Sequence, residues 1–285
     1  MRREATPRAG VRTVGWLAAL KRWRRDRVLR RIQLDEAVWR RTVARHAYTR
    51  ALSEEDLCRL RDLAKLFLHD KPIHGAGEMV VTDEIRVAIA TQACILVLEL
   101  GLEYYRGWSE VILYPGEFVA RYDYTDEDGV VHQVAEPMAG EAWHGGPVIL
   151  SWADASETGG GTPYNVVMHE FAHKLDMLNG DANGFPPLHA DMRRETWAEI
   201  FTAAYEDFCD RIDANEELPI DEYAAESPAE FFAVLSEVFF EHPALLVQRY
   251  PDVYRQLRLF YRQDPAARLA AVATVPASSH ATARS

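Results

Sequence analysis

The 285 residues are 48% hydrophobic and carry a net charge of −12, enough apolar content to bury a large core in one domain with an appendage. No run supplies the roughly 20 apolar residues that a bilayer-spanning helix needs, since the longest, residues 87–102, is broken by Thr91, Gln92 and Glu99. Fifteen Lys and Arg against four Asp and Glu make residues 1–50 basic, and the acidic remainder disfavours nucleic-acid binding through the main body. The apolar stretch 15–20 is too short for a signal-peptide core and runs into dense arginine, so the expected location is the cytoplasm. Cys58, Cys94 and Cys209 are odd in number, widely spaced and free of any CxxC pair, which predicts buried free thiols rather than a disulfide framework or a thiolate metal site.

In chain order, residues 1–13 read as a disordered lead. Trp16, Leu20, Trp23, Val28 and Ile32 form an imperfect helical stripe among arginines, suited to packing on the acidic body or to lying on a membrane surface. Ser53, followed by Glu54, Glu55 and Asp56, caps a helix whose apolar face runs through Leu57, Leu60, Leu63 and Phe67. Residues 79–81 read as a short strand, and Thr82 then caps a buried helix that Gly101 ends. Residues 111–114, 118–124, 130–134 and 148–152 are short, β-prone and separated by Pro115-Gly116, by 126–129 and by Gly145-Gly146, which predicts a small mixed, largely antiparallel sheet. A glycine loop at 159–161 leads into a helix over 164–178, and the C-terminal half reads as helices over 193–211, 228–240 and 244–260. From Ala266 the chain reads as a frayed tail. The fold class is therefore α+β, divided into a partly helical basic arm 1–50, a main domain 51–265 and a flexible tail 266–285.

The chemistry concentrates in the HEFAH stretch. His169 and His173 are four apart, so on a helix both rings leave one face and can share a metal ion. Neutral imidazole suits zinc, and Glu170 beside the first ligand can take a proton from metal-bound water and pass it to a leaving amine. A third protein ligand must come from elsewhere, and His189, Glu195, Glu226, Glu230, Glu237 and His242 all lie downstream. Glu230 and Glu237, seven apart on an apolar helix, face the same way and each asks for a partner. Ser227-Pro228-Ala229-Glu230 is also a capping box, and Glu237 also suits a place behind a metal ligand or a core ion pair, so residue chemistry favours Glu230 without closing the choice. Asp176, three residues beyond His173, can orient a ligand ring or bond into the next loop. Tyr223 is placed where a phenol could support an oxyanion.

Three separated blocks, HEFAHKLDMLNGD, YAAESPAEFFAVLSEVFFEHP and LELGLEYYRGWSEVILYPGEFV, closely resemble the Mlc titration factor A family of zinc peptidases, itself similar to the catalytic domain of anthrax lethal factor. The resemblance runs from Leu52 to Tyr261. It implies a zincin-like fold, with His169, His173 and Glu230 as zinc ligands, Glu170 as catalytic base and Tyr223 as the transition-state tyrosine. It further implies a gluzincin-type, aminopeptidase-like activity, cytoplasmic location and a partner, the glucose-responsive DNA-binding repressor Mlc. The strand over 146–152 precedes the metal helix, and in zincin folds such an edge strand pairs with substrate, so residues 143–150 are expected to line the cleft. Residues 1–50 are unlike the short lead of that family, so no property of this arm follows from the resemblance.

Overall fold

The computed structural model describes residues 11–125, 131–158 and 164–274, so the expected turn at 126–129, the glycine loop at 159–161 and the ends of the chain lie outside the described residues. A solvent-exposed helix α1 (Val11–Arg31) leads into α2 (Glu36–Arg45) and the single turn α3 (Ala47–Arg50). Trp16 and Trp23 are more than half exposed, and α1 meets the body at α4 (Glu54–Asp70). Ser53 caps α4 by accepting from Asp56 N, as its hydroxyl and the following acids predict.

Strand β1 is Ile73–Gly75, six residues before the expected one. Residues 79–81 are instead irregular and Val80 is largely exposed, because the chain turns at Gly77 (φ 60°) and Met79 N bonds back to Ala76 O. Thr82 then caps α5 (Asp83–Leu96), which is buried along most of its length and carries the chain back to β2 (Val111–Tyr114). This strand–helix–strand path makes β1 and β2 parallel. The hairpin β3 (Phe118–Thr125) and β4 (Val131–Met138) forms a separate antiparallel ribbon, followed by β5 (Gly140–Ala142) and β6 (Val148–Ser151). In the main sheet the order is β1-β2-β6-β5, with β2 and β6 parallel and β5 antiparallel to β6. The sheet is thus mixed, as expected, yet parallel pairing dominates its four strands because β2 and β6 are joined by a long excursion rather than a tight turn.

After the short α6 (Trp152–Glu157) comes the wholly buried α7 (Val166–Asp176), which packs against α5, α9, β5 and β6. Helix α8 (Arg194–Asp213) precedes α9 (Pro228–Glu241), where Phe231 and Phe232 interlock with Trp197, Phe201 and Phe208 of α8. The helix expected over 244–260 is two helices, α10 (Pro243–Arg249) and α11 (Pro251–Tyr261), since Pro251 has no N–H to continue the first and is well placed at the start of the second. Nor does the chain fray at Ala266. Asp264 accepts from Ala267 N and Pro265 opens α12 (Pro265–Ala273), which packs on α3 and α10. Of the three free cysteines only Cys94 is buried; Cys58 is exposed. Among the described residues no helix is long and apolar enough to cross a membrane.

Candidate metal centre and cleft

Asn165 starts the helix that carries HEFAH, its side chain accepting from Met168 N at 3.0 Å. One face of α7 is apolar: Phe171 packs among Phe67, Tyr105 and Trp108 with ring centroids 5.1–5.7 Å away. The opposite face turns His169, Glu170 and His173 to a cavity of about 1390 Å³. Helical spacing sets the two imidazoles together, with Nε2 atoms 3.2 Å apart. Glu230, in the first turn of α9, reaches the same point from across the cavity. Its Oε2 lies 2.8 Å from His169 Nε2 and 3.2 Å from His173 Nε2. The serine half of the capping box is made, Ser227 Oγ accepting from Glu230 N, while the Glu230 carboxylate faces the imidazoles.

These three atoms fit a zinc ion. Bonds of about 2.0–2.2 Å at tetrahedral angles require ligand atoms roughly 3.3 Å apart, and the observed triangle has edges of 2.8, 3.2 and 3.2 Å. The donor set of two imidazoles and one carboxylate also leaves a coordination position on the cavity side. Burial opposes ionisation of Glu230, but hydrogen bonds from both imidazoles outweigh it and hold the carboxyl far below its usual range.

Glu237 is two turns further along α9 and touches the other side of the same ring, with Oε1 2.7 Å from His169 Nδ1. The two acids take different positions: Glu230 faces both Nε2 atoms, while Glu237 meets the back of one ring. Asp176 bonds to the next loop, Oδ2 accepting from Asn183 N at 2.8 Å and Gly184 N at 2.7 Å. His189 is occupied elsewhere, between Tyr104 and the carbonyl of Phe260. Glu195, Glu226 and His242 do not line the cavity.

Glu170 lies beside the donor set without joining it, and burial pushes its carboxyl up to about 7. It rests against Gly140, the first residue of β5, where an added Cβ would stand 2.6 Å from Glu170 Cγ and collide with its carboxylate. Tyr223, in a 3-10 turn before α9, is half exposed, lines the cavity and has its ring centroid 5.9 Å from that of His169. Tyr164, which sequence reasoning passed over, lines it too.

The expected cleft wall at residues 143–150 is displaced by one strand. Because β6 is flanked on both sides by β2 and β5, the edge belongs to β5, and Ala139, Gly140, Glu141 and Ala142 face the cavity. Trp143 and Gly146 instead form the turn behind it, where the buried Lys174 of α7 donates to both carbonyls, at 2.5 and 2.9 Å. Glu117, Glu141, Glu216, Glu217, Asp221 and Glu222 add carboxylates around the cavity, and no Lys or Arg lines it among the described residues.

A donor triangle of this size, with an uncoordinated carboxyl beside it and an open strand edge alongside, defines the metallopeptidase class. Comparison with known sequences agrees: the model of the glucose-regulated metallo-peptidase M90 family matches residues 20–262, and the chain belongs to that family. It is similar to Mlc titration factor A of Serratia proteamaculans (strain 568), with 40% identity over 222 residues covering 76% of this chain and 84% of the relative. The same protein of Cronobacter sakazakii is 41% identical over 224 residues (76% and 83%), and that of Salmonella arizonae 42% over 224 residues (76% and 88%).

Proposed function

We propose that the protein is a zinc-dependent peptidase with aminopeptidase-like activity, in which His169, His173 and Glu230 hold the metal, Glu170 is the general base and Tyr223 supports the oxyanion. The observation that carries this reading is the triangle of His169 Nε2, His173 Nε2 and Glu230 Oε2 with Glu170 beside it. Zinc held there would polarise the scissile carbonyl and make water acidic enough to attack near neutral pH. Glu170 takes the proton of that water and delivers it to the departing amine, and burial favours the role by tuning its carboxyl to about 7. Across the cavity Tyr223 donates its phenolic hydrogen to the oxygen that gains charge. The free edge of β5 offers backbone N–H and C=O groups to an extended peptide. The cavity's carboxylates, with no lining Lys or Arg among the described residues, favour a positively charged amino end and support the aminopeptidase assignment.

Full-length protein should contain stoichiometric zinc and hydrolyse aminoacyl-anilide or peptide substrates in a chelator-sensitive way. Glu170→Gln should keep the metal and lose about 10²–10⁴-fold in kcat. Unchanged hydrolysis in Glu170→Gln, or in the metal-free protein, would remove the proposal. A second reading rests on the relatives' name: their titration of Mlc supports binding of a Mlc-like repressor by the acidic body of this chain in the cytoplasm. Under that reading Glu170→Gln should still pull down the repressor, and failure of both proteins to bind it would eliminate the partner.

A further inference from the structure

The metal ligands are held from behind by a buried polar chain that the catalytic reading does not use. It starts at His169 Nδ1, which meets Glu237 Oε1 at 2.7 Å. The second oxygen of Glu237 accepts the backbone N–H of Asn165. Asn165 is fully buried, and besides capping α7 through Oδ1 it donates from Nδ2 to Glu241 Oε1 at 2.8 Å. Glu237 and Glu241 are four apart and leave α9 on one face, so one residue engages both with different groups. At the far end, Glu241 Oε1 lies 3.8 Å from Nδ1 of the buried His46, whose ring stacks on Tyr48 at 4.9 Å. His46 and Tyr48 come from the segment between α2 and α4 that charge composition groups with the basic arm.

We propose that Asn165 is a positioning residue of the metal centre. Its amide ties the start of α7 to Glu241, which fixes the backbone N–H that grips Glu237, and Glu237 in turn fixes the His169 ring. The physical need is clear from burial. An imidazole can rotate about its side-chain bonds, and a carboxylate behind it locks that rotation only when the carboxylate is itself held. Glu237 is 2% exposed, so bulk solvent does not compensate its charge; its partners are His169 and Asn165. Glu241 therefore serves the metal site from one turn further along α9, and the wall behind it is built by His46 and Tyr48.

This inference rests on the metal reading of the site, and the two can be tested apart. Zinc affinity of the full chain would be measured by competition with a chromophoric chelator, alongside the melting temperature of the metal-free protein. Asn165→Ser keeps a capping oxygen and the backbone N–H but cannot reach Glu241, so zinc should bind about 10-fold or more weakly at temperatures well below the melting point of the metal-free variant, which itself falls because Glu241 loses its bond. Glu241→Leu should weaken zinc similarly, while Glu241→Gln, which still offers Oε1 to Asn165, should stay within about threefold of wild type. Wild-type zinc affinity in both Asn165→Ser and Glu241→Leu would overturn the inference and leave the metal site standing. A wild-type protein without zinc affinity would overturn both.

Discussion

The two sides of the His169 ring make an instructive contrast. In front, Nε2 faces a cavity, the His173 and Glu230 donors and the carboxyl of Glu170. Behind, Nδ1 faces a buried chain of Glu237, Asn165, Glu241 and His46. The front is built from few residue types at fixed helical spacing, because metal chemistry admits only certain ligands. The back is built from whatever polar groups tertiary packing brings together, and it tolerates burial only because each carboxylate is bonded.

The sharpest way to break the front without touching a ligand is Gly140→Ala. Its methyl must displace the Glu170 carboxylate, so kcat should fall about 10³-fold, or ~4 kcal/mol, with zinc content unchanged. Loss of zinc instead, or full activity, would show that Glu170 does not depend on this contact.

The back should announce itself through pH. Burial pulls His46 down to about 4, so below its ordinary 6.5 the unfolded chain takes up a proton that the folded chain refuses. Stability on this account falls as pH drops from 6.5 to about 4. Glu241 acts oppositely: burial pushes it up to about 7 from 4.5, so the unfolded chain ionises first and stability rises as pH falls across that window. In wild type the two trends offset one another. Glu241→Gln leaves His46 uncompensated, and stability should drop by ~3 kcal/mol between neutrality and the low end of the His46 window, followed by denaturant unfolding at each pH. Superimposable wild-type and variant profiles would contradict this.

The smallest effect belongs to the half-exposed Tyr223. Removing its hydroxyl in Tyr223→Phe should lower kcat about 10-fold, or ~1.4 kcal/mol, and leave zinc affinity alone. An unaltered kcat would assign the oxyanion role elsewhere, with Tyr164 the nearest phenol lining the cavity.

Sequence reasoning singled out the residues of the front and, at the back, Glu237 alone, for reasons these residues make plain. HEFAH and the ExxxxxxE spacing of Glu230 and Glu237 lie within single helices, where periodicity alone decides which side chains share a face. Asn165 has an ordinary local explanation as a helix cap, Glu241 closes a helix 76 residues on, and His46 sits in a basic segment far upstream; nothing local joins them. Its one early sign was an asparagine opening the helix that bears the ligands. Strand order failed for the same reason. β-formers and turn residues locate β6, but Gly140–Ala142 is too short and too small to read as a strand and is not expected, and which strand has a free edge depends on β2 pairing from the far side.

Lys174 gives the arrangement a mechanical meaning. Burial lowers its ammonium to about 8, yet it spans from α7 to the carbonyls of Trp143 and Gly146 behind the open strand. The eleven residues of α7 thus bear the two imidazoles and the carboxyl proposed as ligands and base, together with the fastening of the strand proposed to receive the peptide. If α7 drifts, His169, Glu170, His173 and the fastened turn drift together, and the spacing between that strand and the Glu170 carboxyl is kept although absolute positions are not.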